Sequence, residues 1–321
     1  MRRGPVARSS ISGLSKHFLY IGDQMEKNQK LAIVVLNWNS SSATLCCLAH
    51  LSSWSDLKAE VIVVDNGSSE EDIARLRQPG LQFHLVCNHA NLGYAGGNNR
   101  GIQVALEEGF PFIMLLNSDA TINERCVVNL LGYLENRQEI GVIGPLLEEH
   151  GTVYSGGRNI GLYSNTRIKQ PTDNGEPGLF NVDYVPGTVL LARAGTLKSV
   201  GLLEEDYFFS GEVADFCQRV HNAGLRCTVF AGCRAIHDTD THSTVRDSLY
   251  NYYSLRNRFL FIRRYFPFAR YLLFLRWVAG GTLQIILAFL TGRHGRTHAL
   301  WMGLKDGVAG RFGDRNDLFL R

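Results

Sequence analysis

The chain has 321 residues, 45% apolar and 20% charged, enough for one large or two modest domains with a buried core. That balance excludes a disordered chain, and a net charge of +3 is too small to argue for a nucleic-acid partner. The positive charge gathers between Arg256 and Arg296. Seven cysteines, with no Cys-x-x-Cys pair and mostly inside apolar runs, read as reduced, packed thiols of a cytosolic protein. Residues 1–29 are polar and basic without an apolar stretch, so they read as a flexible tail and not as a secretory signal.

Leu31–Leu36 is an apolar, β-branched run and predicts the first strand; Asn37-Trp38-Asn39-Ser40 follows as a turn into a helix reaching about His50. Val61–Val64 predicts a second strand, closed by Asp65-Asn66-Gly67, with a short helix over Glu70–Arg77 and a third strand over Phe83–Val86. Asn91–Asn99 is a glycine-rich loop leading into a helix to about Glu108. Phe112–Leu116 is a continuous apolar run, as in a strand buried on both faces, and Asn117-Ser118-Asp119 lies where it leaves the sheet. A helix is expected over Glu124–Glu135, loops and a hairpin over 144–183, and a strand over Val185–Leu191 broken by Pro186-Gly187. A helix over Glu212–Ala223 and a strand over Cys227–Phe230 complete this region. Strands alternating with helices predict an α/β fold with parallel pairing and a doubly wound sheet.

The C-terminal part is different. Ser248–Phe266 is dense in Tyr, Arg and Phe, and Tyr271–Leu290 is nearly all apolar and long enough to span a bilayer. Basic residues flank it on both sides, which fits an interfacial or re-entrant segment, a true span, or a buried helix.

Several polar groups carry chemistry in this pattern. Asp65 and Asp119 end strands at the edge where open α/β sheets bind ligands; each is either a helix cap or a handler of nucleotide and cation. Gly96, Gly97 and Asn98 belong to a loop that either cradles phosphate with its amides or is a plain turn. Glu212 and Asp215 share a helix face, as a general base and its neighbour or as first-turn acids favoured by the helix dipole. His237, with Asp238, Asp240 and His242 near it, reads as a contributor to a substrate-bound Mg2+ or Mn2+ rather than as part of a closed zinc site.

The ordered motifs VVLNWNS at 34–40, VIVVDNGS at 61–68, NLGYAGGNNRG at 91–101, LLNSD at 115–119, VGLLEE at 200–205 and YFFSGE at 207–212 resemble family 2 glycosyltransferases of the GT-A fold, especially bacterial rhamnosyltransferase-like members. The resemblance covers roughly Leu31–His242. It implies a GT-A domain over 30–245, a Rossmann-like, mostly parallel sheet flanked by helices, with a helical, membrane-associated region over 246–321. It implies inverting transfer from a UDP- or dTDP-linked sugar to a glycan or lipid-linked acceptor at the cytoplasmic face of the cell membrane. By the same resemblance Asn37, Asn39, Asp65, Gly96, Gly97, Asn98, Asn117 and Asp119 would bind the donor. Asp119 and His237 would hold Mg2+ or Mn2+, and Glu212, or else Asp215, would be the base. The sequence departs from the family pattern at Asn117, an amide in the D-x-D position, and at Val213, where an acidic residue often stands. The alternative implied by these departures is an inactive nucleotide-sugar or glycan-binding module.

Overall fold

The structure is a computed structural model and describes residues 31–78, 80, 82–169, 178–237 and 244–319. The expected tail over 1–29 lies outside the described residues, as do Asp238, Asp240 and His242 and part of the loop region expected over 144–183.

Nine α-helices and ten strands are formed by the described residues. The first half is β1 (Leu31–Asn37), α1 (Ser41–Ser52), β2 (Ala59–Asn66), α2 (Glu70–Leu76), β3 (His84–Asn88), α3 (Gly93–Glu107), β4 (Phe112–Asn117), β5 (Ala120–Ile122) and α4 (Glu124–Asn136). Then come β6 (Ile140–Glu149), β7 (Thr152–Tyr154), β8 (Leu179–Asn181), β9 (Val189–Arg193), α5 (Ala194–Val200), α6 (Glu212–Asn222) and β10 (Arg226–His237). Three helices close the chain: α7 (Thr244–Tyr265), α8 (Arg270–Leu290) and α9 (His294–Ala309).

The strands form one sheet in the order β3-β2-β1-β4-β9-β6-β10-β5, with β7 beside β6 and β8 beside β10. Its β3-β2-β1-β4 half is parallel, as the alternation of strands and helices predicts. The other half departs from purely parallel pairing. β9 runs antiparallel to both β4 and β6, while β6 and β10 are parallel. An antiparallel neighbour needs no crossover helix, and among the described residues the approach to β9 supplies none. The alternating residues of β1 explain its unbroken apolar run. Leu31, Ile33 and Val35 pack into one core layer with α1 and α4; Ala32 and Val34 pack into the other with α3 and α6.

Two of the seven cysteines are not free. Cys126 of α4 is bonded to Cys233 of β10, 107 residues away, which corrects the reading of all seven as reduced thiols. Neither has a partner within any recognisable spacing; the sheet alone brings α4 beneath β10.

α8 is long and apolar enough to cross a membrane by length and composition. Its Leu273, Trp277, Gly281 and Ala288 are buried, whereas Tyr271, Leu272, Leu275, Leu283, Leu287 and Leu290 are exposed. The Trp277 indole N–H donates to Gly161 O at 2.7 Å, tying α8 to the loop after β7.

Candidate active site

Strands β1, β2 and β4 all end at one sheet edge, so their terminal polar residues meet. Asn37 and Asp65 face each other across β1 and β2, and the Asn37 amide donates to Asp65 Oδ1 at 2.9 Å. Asp65 Oδ2 accepts from Ser68 N, which closes the turn after β2. Both side chains are fully buried, and neither borders the cavity beside them. Asp65 is not a helix cap, because Ser69 caps α2. Asn39, in the left-handed region at φ 50°, binds Ser68 Oγ and Ser69 N, which fixes the tip of this turn.

A cavity of about 610 Å³ opens over this edge, bordered by Trp38, Asn39, Tyr94, Asn117, Asp119, Phe209 and Arg246 among others. Trp38 is 36% exposed and lines it with an aromatic side chain.

The glycine-rich stretch lies behind the cavity. Gly93, at φ 72°, begins α3, and a Cβ on it would meet Phe208 O at 2.3 Å. A Cβ on Gly97 would meet Leu36, and one on Gly101 would meet Val34, so these glycines let α3 pack close to the sheet. The amides expected to cradle phosphate are engaged: Gly93 N donates to Asn91 Oδ1 and Tyr94 N to Phe208 O at 2.7 Å. Gly96, Gly97 and Asn98 are buried and border neither large cavity; the Asn98 amide donates to Tyr94 O.

Asp119 sits in the turn between β4 and β5 and caps no helix, since Asn123 caps α4. His237, at the end of β10, stands between two carboxylates: Nε2 is 3.0 Å from Asp119 Oδ1 and Nδ1 is 2.9 Å from Glu149 Oε1. Burial opposes a charge on the ring, but the two carboxylates outweigh it and raise the His237 pKa to about 9. The same contacts hold the Asp119 and Glu149 pKa values below the ordinary range against the opposing effect of burial. Arg167 pairs with Glu149, and Arg246 approaches Asp119 at 3.7 Å.

Among the described residues, no cluster of three or more His, Cys, Asp or Glu side chains forms a ready cation cage. Asp119 and His237 nonetheless fit a cation that takes most of its ligands from substrate phosphates and water, as Mg2+ does. Glu149 holds Nδ1 and thereby turns Nε2 towards Asp119, the arrangement that orients a ligating imidazole.

A second cavity of about 410 Å³ adjoins the first. Tyr94, Asn117, Phe209 and Arg246 border both, and Glu149, Arg167, Tyr184, Glu212, His237, Tyr250 and Arg258 border the second. Glu212 is 5% exposed, and its Oε2 has no hydrogen-bond partner among the described residues. Burial, with a smaller contribution from Asp215, raises its pKa to about 7. Asp215, predicted as the other candidate base, is fully buried and borders neither cavity. Its oxygens accept from Arg219 Nε at 2.9 Å, Tyr265 OH at 2.8 Å and Tyr207 OH at 3.2 Å, so it serves as a structural anchor.

The loop that presents Glu212 is strained and held from α7. Phe208 and Ser210 have φ values of 60° and 69°, conformations that persist only when the surroundings impose them. The buried Asn257 amide donates to Tyr207 O and Phe209 O at 2.9 Å and also to Ser210 O, and the buried Arg256 donates to Asp206 O and Tyr207 O. Asn257→Ala is expected to lower the kcat of whatever reaction the cavity supports roughly 10–100-fold, as displacement of a positioned group does, with little change in KM. Steady-state kinetics check this, and an unchanged kcat would remove the clamp from any role in catalysis.

Sequence reasoning missed Trp38, Glu149, Arg246 and Asn257. Trp38 lies inside a motif the sequence does display, so an aromatic residue beside a strand-end turn was the available signal. The other three come to the site only through long-range packing.

A family model described as Glycosyl transferase family 2 matches residues 32–194, from β1 into the start of α5. The low-salt glycan biosynthesis hexosyltransferase Agl10 of Haloferax volcanii is 28% identical over 246 residues, 72% of this chain and 74% of that protein. The dTDP-rhamnosyl transferase RfbF of Shigella flexneri is 23% identical over 256 residues, 74% of this chain and 81% of that protein. An N-acetylglucosaminyl-diphospho-decaprenol L-rhamnosyltransferase of Mycobacterium tuberculosis is 26% identical over 243 residues, 68% of this chain and 78% of that protein. In fold, the chain is similar to a crystal structure of GalNAc-T7 with UDP, GalNAc and Mn2+, at TM-score 0.60 and 11% identity. That likeness covers 76% of this chain and 53% of the other. Strand-end carboxylates on a GT-A sheet, the ordered motifs around them and the matching family model lead to one identification: this chain is a glycosyltransferase and belongs to glycosyl transferase family 2.

Proposed function

We propose that the chain moves a sugar from a UDP- or dTDP-linked donor to a hydroxyl of a lipid-linked or growing cell-surface glycan, with inversion at the anomeric carbon. One observation carries this reading: two adjoining cavities share a wall of Tyr94, Asn117, Phe209 and Arg246, with Asp119 on one side and an unpartnered Glu212 oxygen on the other. The relatives named as rhamnosyltransferases support rhamnose as the sugar, and the decaprenol-linked substrate in one name supports a lipid-linked acceptor.

The donor occupies the larger cavity, with its base against Trp38 and Asn39 and its diphosphate towards Asp119 and Arg246. Asp65 acts indirectly, by fixing Asn37 and the turn that carries Asn39. Asp119 and His237 would hold Mg2+ or Mn2+. When bound, the cation neutralises charge building on the leaving diphosphate. Arg246 adds a positive group on the same side. The acceptor occupies the smaller cavity, where Glu212 takes the proton from its attacking hydroxyl. Holding both substrates against one rigid sheet edge orients the attack. A thermal-shift screen of nucleotide sugars with Mn2+ tests the assignment. Stabilisation by one donor class, absent in Asp119→Ala, supports it, and no stabilisation by any nucleotide sugar would overturn it.

α8 lies along the membrane surface in this reading, on the cytoplasmic side. One of its faces is committed to protein contacts, and the opposite face is apolar and exposed, as in helices that lie in the interface plane. Arg270, Arg293 and Arg296 flank it and suit anionic headgroups. Leu272→Glu with Leu283→Glu is expected to release the protein from anionic vesicles in a sedimentation assay while donor hydrolysis in solution is retained. Undiminished sedimentation would place the membrane contact elsewhere.

A further inference from the structure

Arg258 is a partly buried cation that no carboxylate among the described residues neutralises. It lies on α7 and borders the Glu212 cavity. Nη1 donates to Ile160 O and Tyr163 O at 2.6 Å each, and Nη2 donates to Ser164 O at 3.2 Å. No carboxylate pairs with it among the described residues; the groups acting on its charge are the phenols of Tyr250 and Tyr184 and a second cation, Arg276. Burial, reinforced by Arg276, pulls its pKa down to about 10. An uncompensated buried charge is costly unless something else meets it.

Three other arginines around the site have a carboxylate partner, and Arg256, which donates to backbone carbonyls and the Asn257 amide oxygen, is fully buried and borders neither large cavity. Arg167 has Glu149, Arg246 faces Asp119, and Arg264 has Glu204 and Asp206. Arg193 also binds only carbonyls, but these lie at and just beyond the C-terminal end of α4, where a cation is favoured, and Arg193 borders neither large cavity. Arg258 opens onto a cavity that has a catalytic carboxylate in its wall.

Its other face leads to the membrane-facing helix. The guanidinium lies over the Trp277 ring of α8, 4.1 Å from its centroid. Glu212 and Arg258 therefore border one cavity, and beyond Arg258 lies α8, which meets it with the buried Trp277 and carries its exposed apolar residues on the opposite face. A lipid-linked sugar has the same order of chemistry: hydroxyl, phosphate, hydrocarbon.

We infer that Arg258, at the cavity wall, forms an anion subsite that receives the phosphate or diphosphate joining the acceptor sugar to its lipid, with Arg276 outside the cavity adding positive charge. The inference rests on the proposed transfer to a lipid-linked acceptor and names how that acceptor is held. A planar guanidinium suits this task, because it can bind two phosphate oxygens at once.

The test compares binding of farnesyl diphosphate with that of farnesol, which lacks the anion, by calorimetry in EDTA with saturating dTDP filling the donor cavity. Neither probe requires knowing the acceptor sugar. The wild-type protein is expected to prefer farnesyl diphosphate about tenfold or more, as a charged hydrogen-bond pair requires. The preference should vanish in Arg258→Gln, persist in weakened form in Arg258→Lys and fall partially in Arg276→Gln. Should Arg258→Gln fail to fold, Arg258→Lys and Arg276→Gln decide the matter: weakened preference supports the subsite, and an unchanged one overturns it. Equal affinity for both probes in the wild type would also overturn it, as would displacement of farnesyl diphosphate by rising dTDP, which would assign the anion to the donor cavity. Donor binding retained without a diphosphate preference sinks the subsite alone. A wild-type protein that binds no nucleotide sugar sinks the underlying function.

Discussion

Glu212→Gln is expected to lose sugar transfer by about 10²–10⁴-fold, the usual contribution of a positioned general base, and at the same time to become more stable above pH 7. Both effects come from one feature: a buried carboxyl group, 5% exposed, with one oxygen unpartnered among the described residues. Burial raises its pKa from the ordinary value of 4.5 to about 7. The folded protein therefore binds a proton more tightly than the unfolded chain. Between pH 4.5 and 7 the folded state holds more protons, so stability falls as pH rises through that window. A glutamine has no charge to bury and escapes that fall. At about 1.4 kcal/mol per pKa unit, the variant should gain up to roughly 3 kcal/mol over wild type at pH 8 and almost nothing at pH 4. Denaturant titrations at the two pH values, beside transfer rates, check the pair of effects. The wild-type rate should rise with pH to a plateau above about 7, as Glu212 becomes ionised. A stable and fully active Glu212→Gln would remove Glu212 as the base.

Asp119→Ala carries the second large effect. Asp119 borders the cavity proposed for the donor, faces His237 at 3.0 Å and has Arg246 on its far side. Its loss removes the carboxylate proposed for the cation and leaves the His237 and Arg246 charges without it. Transfer supported by Mn2+ should fall at least ~100-fold. Mn2+ affinity in the presence of nucleoside diphosphate, read by electron paramagnetic resonance, should weaken in parallel. Glu149→Gln should act more mildly, about 10–100-fold on cation affinity, because it only orients His237. Unaltered Mn2+ binding in Asp119→Ala would move the cation site away from this edge.

Much of the framework was legible in the sequence because local patterns encode it. β1, β2 and β4 announce themselves as unbroken apolar runs, and the polar residues after them fall on the sheet edge that carries the larger cavity. The direction of β9 was not legible, since periodicity marks a strand without saying which way it runs. Glu149 lies 88 residues from the His237 it orients, and only the parallel pairing of β6 with β10 joins them. Cys126 and Cys233 escaped for the same reason. Composition marks the glycine-rich stretch but not where its amides go: those of Gly93 and Tyr94 are engaged by Asn91 and Phe208. Asn257 and Arg258 looked like part of an appended basic helix, whereas α7 holds the loop before Glu212 and lines its cavity.

The central claim is a single displacement, with the donor on the Asp119 side, the acceptor on the Glu212 side, and Glu212 as base. The anomeric configuration of the product, followed by proton NMR from the first turnovers with the donor found in the nucleotide-sugar screen, tests it most directly. Inversion relative to the donor is the predicted result. Retention would require either a covalent intermediate or attack from the leaving-group side, and would contradict the assignment of Glu212 as the base of a one-step transfer.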